Sequence, residues 1–223
     1  MAEPKKILYE QLARMAKALS APARVEILDI LAQGPHTVER LAELAGQSSA
    51  NVSQHLKVLR STRLVDATRK GTFIEYRLAH PEVANMLVGL REAAERHLLE
   101  LQAARDELTL AREVERIGRR ELLQRMRAGE VILIDVRPPN EYAAAHLPGA
   151  LSIPLGELSR HLKELPESKE VVAYCRGPYC MLAVEAVQQM RRRGRRARHL
   201  PDGVLEWRSA GLRIEEGESP QPS

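Results

Sequence analysis

Two cysteines stand close together in the segment VVAYCRGPYCML, residues 171–182, and the chain has no others. Cys175 follows a short apolar run typical of a buried strand, and Cys180 precedes a run typical of a helix. A loop between a strand end and a helix N-terminus can turn several main-chain N–H groups inward, and these groups and the helix dipole stabilise an anion. We therefore expect Cys175 to have a lowered pKa and to react as a solvent-reachable thiolate.

The residues between the two cysteines favour the same chemistry. Arg176 adds a positive charge, Gly177 allows a sharp turn of the backbone, and Pro178 stiffens it. The predicted reactive loop consists of Cys175, Arg176, Gly177, Pro178, Tyr179 and Cys180.

The cysteine pair could instead be a structural disulfide, half of a zinc site, or two thiols buried by chance. A structural disulfide is disfavoured because two cysteines in 223 residues make a poor framework and the chain is expected to stay in a reducing compartment. A zinc site needs two more ligands and usually a closer pair. Chance burial of two thiols stays open, and a small packing residue at a helix start accounts for Cys180 as well as a resolving thiol does.

The composition favours helices and small α/β units over an aromatic-rich β-sandwich, since the chain has one phenylalanine, one tryptophan and five tyrosines. No apolar run reaches the roughly 18 residues of a membrane span. The first residues, MAEPKKILYE, lack the apolar core of a secretory signal. We therefore expect a cytoplasmic protein with no membrane contact.

The second half of the chain alternates short apolar runs with helical segments. Its predicted elements are a helix over RRELLQRMRAG, a strand over VILIDVR, a helix, a brief strand at LSIP, another helix, the strand EVVAYC and a helix from about Met181. This alternation predicts an α/β domain with a mainly parallel sheet.

The first half is predicted to be mainly helical. Its predicted elements are helices over residues 7–19 and 23–32, helices over VERLAELA and ANVSQHLKVLR, two strands joined at Lys70-Gly71, and a long helix from Pro81 to about Ala111. Ser20 is the expected N-cap of the second helix, Thr37 of the third, and Ser48 or Ser49 of the fourth. The change of pattern places the domain boundary near residues 108–116, and we predict domains over residues 1–110 and 111–223, the latter ending in a disordered tail.

The third and fourth helices have the pattern of a helix-turn-helix. The chain turns at Gly46, and the next helix has one apolar side and one polar side. Short polar side chains near a helix N-terminus can reach base edges in the major groove, and basic side chains can contact phosphates. The predicted DNA-contacting residues are Ser49, Asn51, Ser53, Gln54, His55, Lys57 and Arg60 on the helix and Arg69 and Lys70 at the hairpin tip. A protein–protein module on the same scaffold is the alternative.

The run LSAPAR from Leu19, the run SQHLKVLR from Ser53 and the pair Leu64-Val65 resemble winged helix-turn-helix repressors of the ArsR type. The resemblance covers about residues 7–105. It implies a homodimer built on the first and last helices, in which two recognition helices read a pseudo-palindromic site in double-stranded DNA. Metal-sensing members carry cysteines on the helix that corresponds to VERLAELA, and this chain has none there. We therefore expect no sensory metal and no cofactor.

A second resemblance covers about residues 117–215. The runs IDVR from Ile134, EY from Glu141 and AHLPGA from Ala145 resemble the DVR…E(Y/F)…GHIPGA signature of rhodanese domains, with Ala145 in the place of a glycine. LPDGVLEW resembles the family's closing GG-x-x-x-W segment, with Asp202 in the place of the first glycine. The resemblance implies that Cys175 carries a persulfide sulfur and passes it to a thiophilic acceptor. The residues implied to support the fold and the loop are Asp135, Arg137, Glu141 and His146.

Loop length separates substrate classes within the rhodanese superfamily. The loop from Cys175 through Cys180 has six residues, the size associated with sulfur transfer, whereas related phosphatases use seven. Many sulfurtransferases place an arginine last, and this chain has Cys180, so one cation is missing. Cys180 can instead attack a persulfide on Cys175 and give a disulfide or a sulfur-bridged pair.

Six arginines crowd the run RRRGRRAR, residues 191–198. A solvated helix end is the simplest interpretation, and docking of a protein sulfur donor or contact with DNA phosphate are the alternatives.

These observations predict a mainly-α winged helix-turn-helix domain followed by an α/β rhodanese-like domain. The leading hypothesis is a DNA-binding regulator that senses persulfide or polysulfide through Cys175, with Cys180 as the resolving thiol. The second is an active sulfurtransferase that moves sulfur from thiosulfate or a persulfide to a thiol or cyanide. The third is a constitutive repressor with an inert rhodanese scaffold. The expected partners are an operator in double-stranded DNA, a second copy of the chain and a small sulfur donor or acceptor.

Overall fold

The computed structural model describes residues 2–110 and 114–218 of the chain. The chain divides into two compact units that meet in sequence between Leu90 and Arg91. None of the described helices is long and apolar enough to cross a membrane. The domain boundary predicted near residues 108–116 falls partly on residues 111–113, and the last part of the predicted tail is residues 219–223. These residues lie outside the described part of the chain, so the predicted boundary and tail stay predictions.

The first unit is mainly helical, as predicted. Its helices are α1 (Ala2–Leu19), α2 (Pro22–Leu31), α3 (Val38–Leu44), α4 (Ser49–Ser61) and the first part of α5 (Pro81–His97), and its strands are β1 (His36–Thr37), β2 (Val65–Lys70) and β3 (Phe73–Leu78). The short helices are held by burial of one apolar side each: Leu28, Leu41 and Leu56 lie in the same core. Each such side chain contributes about 1.5–3 kcal/mol when it leaves water.

The caps of the helices follow the sequence with one exception. Thr37 accepts a hydrogen bond from the N–H of Arg40, and Ser48 accepts one from Asn51. The prediction of Ser20 as N-cap of α2 is wrong, because the N-cap is Ala21 and the Ser20 hydroxyl donates to the carbonyl of Lys17.

Arg24 explains why the run LSAPAR closes one helix and opens the next. Its guanidinium donates to the main-chain oxygens of Ala18 and Lys17 at the end of α1. Helix ends leave such oxygens without partners in the helix. Pro22 occupies the first turn of α2, where its missing N–H costs nothing.

The predicted hairpin is part of a small antiparallel sheet with the order β1-β3-β2. β2 and β3 pair from Val65↔Leu78 to Lys70↔Phe73. The sequence did not predict β1, because two residues are too short for any alternation of polar and apolar side chains to be read. The sheet and the recognition helix together form the winged helix-turn-helix.

The single long helix predicted from Pro81 to about Ala111 is wrong, because the described residues form two helices, α5 and α6 (Leu99–Leu110), separated by Leu98. The Leu98 N–H still donates to Ala94, so the interruption is local. The side chain of Gln102 donates to the main-chain oxygen of Glu95 and satisfies an acceptor near the end of α5. Ala111 itself lies outside the described residues.

The second unit contains the last part of α5, α6 and an α/β domain. The domain's helices are α7 (Arg119–Arg127), α8 (Pro139–Ala144), α9 (Leu158–His161), α10 (Leu182–Arg192) and α11 (Val204–Ser209), with a 3-10 turn at Leu155–Glu157. Its strands are β4 (Val131–Asp135), β5 (Leu151–Ser152), β6 (Glu170–Tyr174) and β7 (Ala197–His199).

The sheet of the second unit is parallel, in the order β5-β4-β6-β7, which confirms the predicted architecture. β4 and β6 are neighbours, and Asp135 pairs with Tyr174 at their last positions. The carboxyl ends of parallel strands share one edge of the sheet, where ligands bind in open α/β folds. The segments after Asp135 and Tyr174 therefore leave the sheet side by side.

The arginine-rich run contains the strand β7, which the sequence did not predict. Arg191 donates to the main-chain oxygen of Ala197, and Arg198 donates to Glu170 at 3.0 Å. Arg192 and Arg193 are exposed at the end of α10. Part of the run is thus a helix end in solvent, as the simplest interpretation predicted, and part of it anchors β7.

We predict that the second unit loses stability in mild acid through His199, which is buried and whose Nε2 has no hydrogen-bond partner among the described residues. Burial, and then the charge of Arg116, lowers its pKa from 6.5 to about 4. The folded protein favours the neutral ring, so the stability is complete above pH 6.5 and is lost as the pH falls towards 4. A shift of this size is worth about 3 kcal/mol.

The measurement is urea unfolding at a series of pH values between 7 and 4, with the fluorescence of Trp207 as the signal. This is the only tryptophan of the chain, and it lies in the core of the second unit. His199→Phe is the control, because carboxylates that titrate in the same range affect both proteins equally. An equal loss of stability in wild type and variant would assign the acid sensitivity to other groups.

Candidate functional site

The cysteine loop lies at the carboxyl edge of the parallel sheet. Cys175 directly follows β6, and Cys180 stands two residues before the start of α10. Both cysteines are free thiols. Within residues 2–110 and 114–218, no three His, Cys, Asp or Glu side chains are arranged to hold a metal ion.

Main-chain N–H groups face the two sulfurs, as the loop sequence predicted. Those of Gly177 and Ala183 face Cys175, and those of Arg176 and Leu182 face Cys180. Gly177 has a φ of +142°, which side-chain-bearing residues rarely adopt, so the turn requires glycine. The N–H of Cys180 donates to the carbonyl of Gly177 and closes the loop.

The two thiols differ in exposure and in pKa. Cys175 is 1% exposed, and burial raises its pKa well above the usual value although two N–H groups favour its thiolate. The pKa of Cys180 is lowered to about 7, chiefly by a hydrogen bond from the Cys175 thiol and then by the facing N–H groups and the charge of Arg176. The expected lowered pKa and solvent access at Cys175 are therefore wrong, because this residue is buried in the apolar core of the second unit.

A buried carboxylate fixes the base of the loop. Glu141 is fully buried and accepts two hydrogen bonds from the guanidinium of Arg176, at 2.6 and 2.9 Å. A bidentate pair of this kind holds the arginine in one orientation. The positive charge predicted from Arg176 is present, and it is positioned by α8.

Asp135 and Arg137 form a second buried pair behind the first. Both side chains are 0% exposed, and the Arg137 Nη2 lies 2.6 Å from the Asp135 Oδ2. The same nitrogen donates to the carbonyl of Ala145, which ties β4 to the segment after α8. Ala145 has an extended backbone, with a φ of −171°, so no glycine is needed at this position.

His146 is the fourth residue predicted to support the rhodanese fold, and it contacts α8 and the C-terminal segment. Its ring stacks on that of Tyr142 at 3.7 Å, and its Nδ1 bonds the main-chain oxygen of Tyr142. The main chain of His146 also forms an isolated antiparallel β-bridge with the main chain of Glu215. These contacts join α8 to the C-terminal segment, so His146 supports the structure of the domain.

The closing segment packs directly on the cysteine loop. A Cβ atom at Gly203 would lie 2.5 Å from the carbonyl carbon and oxygen of Arg176 and 2.8 Å from the oxygen of Cys175. Asp202, where the family pattern has a glycine, instead accepts a hydrogen bond from Arg119 at 2.7 Å. The second glycine of the pattern, Gly203, is therefore required because the main chain of the cysteine loop lies so close to it. At the position of the first glycine, Asp202 forms an ion pair with Arg119.

Three side chains that the sequence did not single out, Arg91, Glu95 and Glu206, lie next to the loop. Tyr179, which was predicted, donates its hydroxyl to Glu95 at 2.8 Å, and the guanidinium of Arg91 lies over its ring at 5.4 Å. Arg91 also pairs with Glu206 at 2.6 Å. Tyr174, the last residue of β6, precedes Cys175, and its hydroxyl oxygen accepts a hydrogen bond from the N–H of Leu147. All belong to the second unit, and their contacts are too distant in sequence for any local pattern to reveal.

The predicted DNA-contacting residues lie on α4 and at the tip of the hairpin. Ser49, Asn51, Gln54, Lys57, Arg60, Arg69 and Lys70 are exposed, and Ser53 and His55 are half-buried. Val52, Leu56 and Leu59 form the opposite, buried side of α4. The polar face is thus available to a groove, while its base contacts stay predictions.

Comparison with known proteins matches each half of the chain to a family. The model described as "Bacterial regulatory protein, arsR family" matches residues 21–67, and the model described as "Rhodanese-like domain" matches residues 119–210. The HTH-type transcriptional regulator Rv0324 of Mycobacterium tuberculosis is 45% identical over 213 residues, which are 96% of this chain and 94% of that protein.

Two further matches each cover one half. A protein named Sulfurtransferase from Allochromatium vinosum is 32% identical over 103 residues, 45% of this chain and 94% of that protein. The solution structure of the homodimeric winged helix-turn-helix DNA-binding domain of Mb0332 from Mycobacterium bovis is 40% identical, with a TM-score of 0.41, over 43% of this chain and 89% of that one. From the full-length relative and the two family models, the chain belongs to the ArsR-family HTH-type transcriptional regulators and carries a rhodanese-like domain after its DNA-binding half.

Proposed function

We propose that this regulator responds to reactive sulfur, persulfide or polysulfide, through Cys175 and Cys180. The observation that carries the proposal is the pair of free thiols in one loop, with main-chain N–H groups facing both sulfurs. At Cys180 these N–H groups help to lower the pKa to about 7 and so favour the thiolate, the form that attacks a sulfane sulfur. The buried Glu141 that fixes Arg176 keeps the loop in this geometry.

The DNA-binding half acts as a homodimer on a pseudo-palindromic operator. Support comes from the apolar face that α1 leaves exposed: Ile7, Leu8 and Leu12 are each more than half exposed, and a second copy covers such a face in a dimer.

The protein works in the cytoplasm, where free thiols persist. Its domains are residues 1–110 and 111–223.

The element proposed to carry the signal is α5. It begins at Pro81 in the first unit, and its last part contributes Arg91 and Glu95, which contact Tyr179 on the cysteine loop within the second unit. A change of loop conformation that breaks these contacts alters the position of this helix. Coupling between two sites of this kind is typically worth about 1–3 kcal/mol.

We predict that sulfur loading changes operator affinity by at least about fivefold. The operator is first selected from random double-stranded DNA with the reduced protein, and its Kd is then measured for reduced and polysulfide-treated samples. Cys175→Ser should bind the operator when reduced, and its Kd should not change after polysulfide treatment, because sulfur cannot be loaded at Cys175 and no Cys175–Cys180 linkage can form. Arg160→Ala, on an exposed side chain of the second unit, is the matched control and should respond like wild type.

Equal Kd values before and after treatment would eliminate sulfur sensing. An unaltered response in Cys175→Ser would place the sensor elsewhere in the chain.

The second candidate function is sulfur transfer. It is favoured by the similarity of the second half to a protein named Sulfurtransferase and by the six-residue loop. This function requires turnover, so it predicts repeated formation of thiocyanate from thiosulfate and cyanide by the reduced protein. A single uptake of sulfur without turnover supports the sensor, and no uptake at all supports an inert scaffold.

A further inference from the structure

Charged side chains from outside the cysteine loop lie directly against its main chain at Gly177. A Cβ atom at this glycine would lie 3.0 Å from the Glu206 Oε2 and 3.4 Å from the Arg91 Nη1. Arg91 and Glu206 also pair with each other at 2.6 Å. The carboxylate and the guanidinium therefore cover this part of the loop together.

Tyr179, two residues further along the loop, is held by the same helix that supplies Arg91. Its hydroxyl donates to the Glu95 carboxylate at 2.8 Å, and the Arg91 guanidinium lies over its ring at 5.4 Å. Arg91 and Glu95 are four residues apart on α5, so both side chains lie on the same side of the helix. Burial, and then the hydrogen bond to Glu95, raises the pKa of Tyr179 to about 12, so the hydroxyl keeps the proton that it donates.

We call Arg91, Glu95 and Glu206 the clasp. Their side chains are 12%, 23% and 14% exposed, so water is largely kept from them. Hydrogen bonds and ion pairs are stronger where the solvent screens them less. The clasp therefore holds the loop more firmly than fully exposed side chains would.

Two members of the clasp lie outside the rhodanese-like domain. The family model matches residues 119–210, whereas Arg91 and Glu95 belong to α5, a helix that begins at Pro81. The rhodanese pattern therefore does not account for these contacts, and they are a feature of this chain.

We propose that the clasp gates access to Cys175. Cys175 is 1% exposed, so a reagent from solvent reaches its sulfur only when the loop opens, and opening separates Tyr179 from Arg91 and Glu95. Arg91 and Glu95 are positioning residues, because they set how often the loop opens and do not touch the reacting sulfur. This inference rests on the proposed function, since Cys175 is the thiol of that function, and it adds regulation of access to it.

The test is alkylation of the reduced full-length protein with iodoacetamide at pH 7, followed by mass spectrometry. Trypsin cleaves after Arg176, so Cys175 and Cys180 appear in different peptides. Tyr179→Phe removes the hydroxyl and keeps the ring. We expect Cys175 in this variant to be labelled at least about fivefold faster than in wild type, because a lost hydrogen bond to a charged group raises the population of the open loop. A wild-type rate would overturn the gate.

Arg91→Ala removes the cation of the clasp and should also speed the labelling of Cys175 by at least about fivefold. Its matched control is Arg160→Ala, since each variant removes one arginine–glutamate pair of the second unit and only Arg91 contacts the loop. The control should label at the wild-type rate. Equal acceleration in both variants would assign the effect to a general loss of stability and contradict the gate.

Two further measurements separate opening of the loop from unfolding of the unit. Loop opening exposes little surface, so the Cys175 rate should hardly change at urea concentrations below the unfolding transition that Trp207 reports. The double variant Tyr179→Phe with Glu95→Ala should label no faster than the faster single variant, because both changes remove the same hydrogen bond. Rates that rise with urea as unfolding does, or effects that multiply in the double variant, would overturn the positioning role of Glu95.

The gate and the proposed function fail separately. Unchanged labelling of Cys175 in Tyr179→Phe and Arg91→Ala removes the gate, while a sulfur-dependent change of operator affinity would still stand. Equal operator affinity with and without sulfur removes the proposed function, while faster labelling in the two variants would still show that the clasp controls access to the thiol.

Discussion

Gly203→Ala is expected to displace the cysteine loop and to abolish its reactivity while the DNA-binding half stays folded. The added Cβ would lie 2.5 Å from the Arg176 carbonyl group and 2.8 Å from the Cys175 oxygen, and both neighbours are main-chain atoms that cannot swing aside. The backbone of Gly203 itself is extended, with a φ of −102°, so the cost comes from overlap and not from a forbidden dihedral angle. Overpacking of this kind costs about 3 kcal/mol.

The change is measured in two ways. Urea unfolding followed by Trp207 fluorescence reports the stability of the second unit, and iodoacetamide labelling at pH 7 reports the thiolate of Cys180. We expect the labelling rate to fall by at least about tenfold, because the N–H groups that stabilise the thiolate move with the loop. Gly156→Ala is the matched control, since a Cβ there meets open space, and both readouts should stay near wild type. A stable and fully reactive Gly203→Ala would show that the closing segment does not support the loop.

The sequence predicted the elements whose side chains repeat with a clear period. The apolar side of α4 and the buried strands β4 and β6 fall in this class, because burial on one face or on both imposes a pattern. It did not predict β1 or β7, since two or three residues carry no period. It also ran α5 and α6 together, because exposed leucines at Leu98 and Leu99 continue a helical pattern through the interruption.

At the site, local chemistry was predictable and long-range contacts were not. The residues of the cysteine loop lie within six positions of one another, where residue type and spacing carry information. Asp135 and Arg137 were expected to support the fold from the resemblance alone, and their ion pair was not predicted. The partner of Tyr179 is Glu95, which stands 84 positions away, and only the folded chain brings the two together.

Exposure was the property that misled the prediction at the cysteines. Both sulfurs meet N–H groups, as the loop pattern indicated, but Cys175 also belongs to a buried core cluster with Ile134 and Val187, and only the folded chain brings Ile134 into it. Burial opposes ionisation, so it decides which of the two thiols keeps its proton.

Asp135→Ala is expected to unfold the second unit at or near room temperature. Asp135 and Arg137 are both 0% exposed, and the carboxylate accepts three hydrogen bonds from the Arg137 side chain and one from its N–H. Removing the carboxylate takes away the ion-pair partner that lies 2.6 Å from the buried guanidinium of Arg137, whose hydrogen bond to the Ala145 oxygen stays in place. Breaking a buried ion pair in this way costs about 3–5 kcal/mol, a large part of the stability of a small domain.

Trp207 fluorescence in urea measures this loss, and far-UV circular dichroism reports the helices that remain in the first unit. Arg160→Ala is the control, since it removes the exposed pair with Glu157, and such pairs contribute at most about 1 kcal/mol. Asp135→Asn separates charge from shape: it keeps an oxygen for Arg137 but removes the negative charge. If the charge stabilises the unit, the free energy of unfolding of Asp135→Asn should be lowered almost as much as that of Asp135→Ala. A nearly wild-type Asp135→Asn would mean that hydrogen bonding, and not the ion pair, holds β4 to the segment after α8.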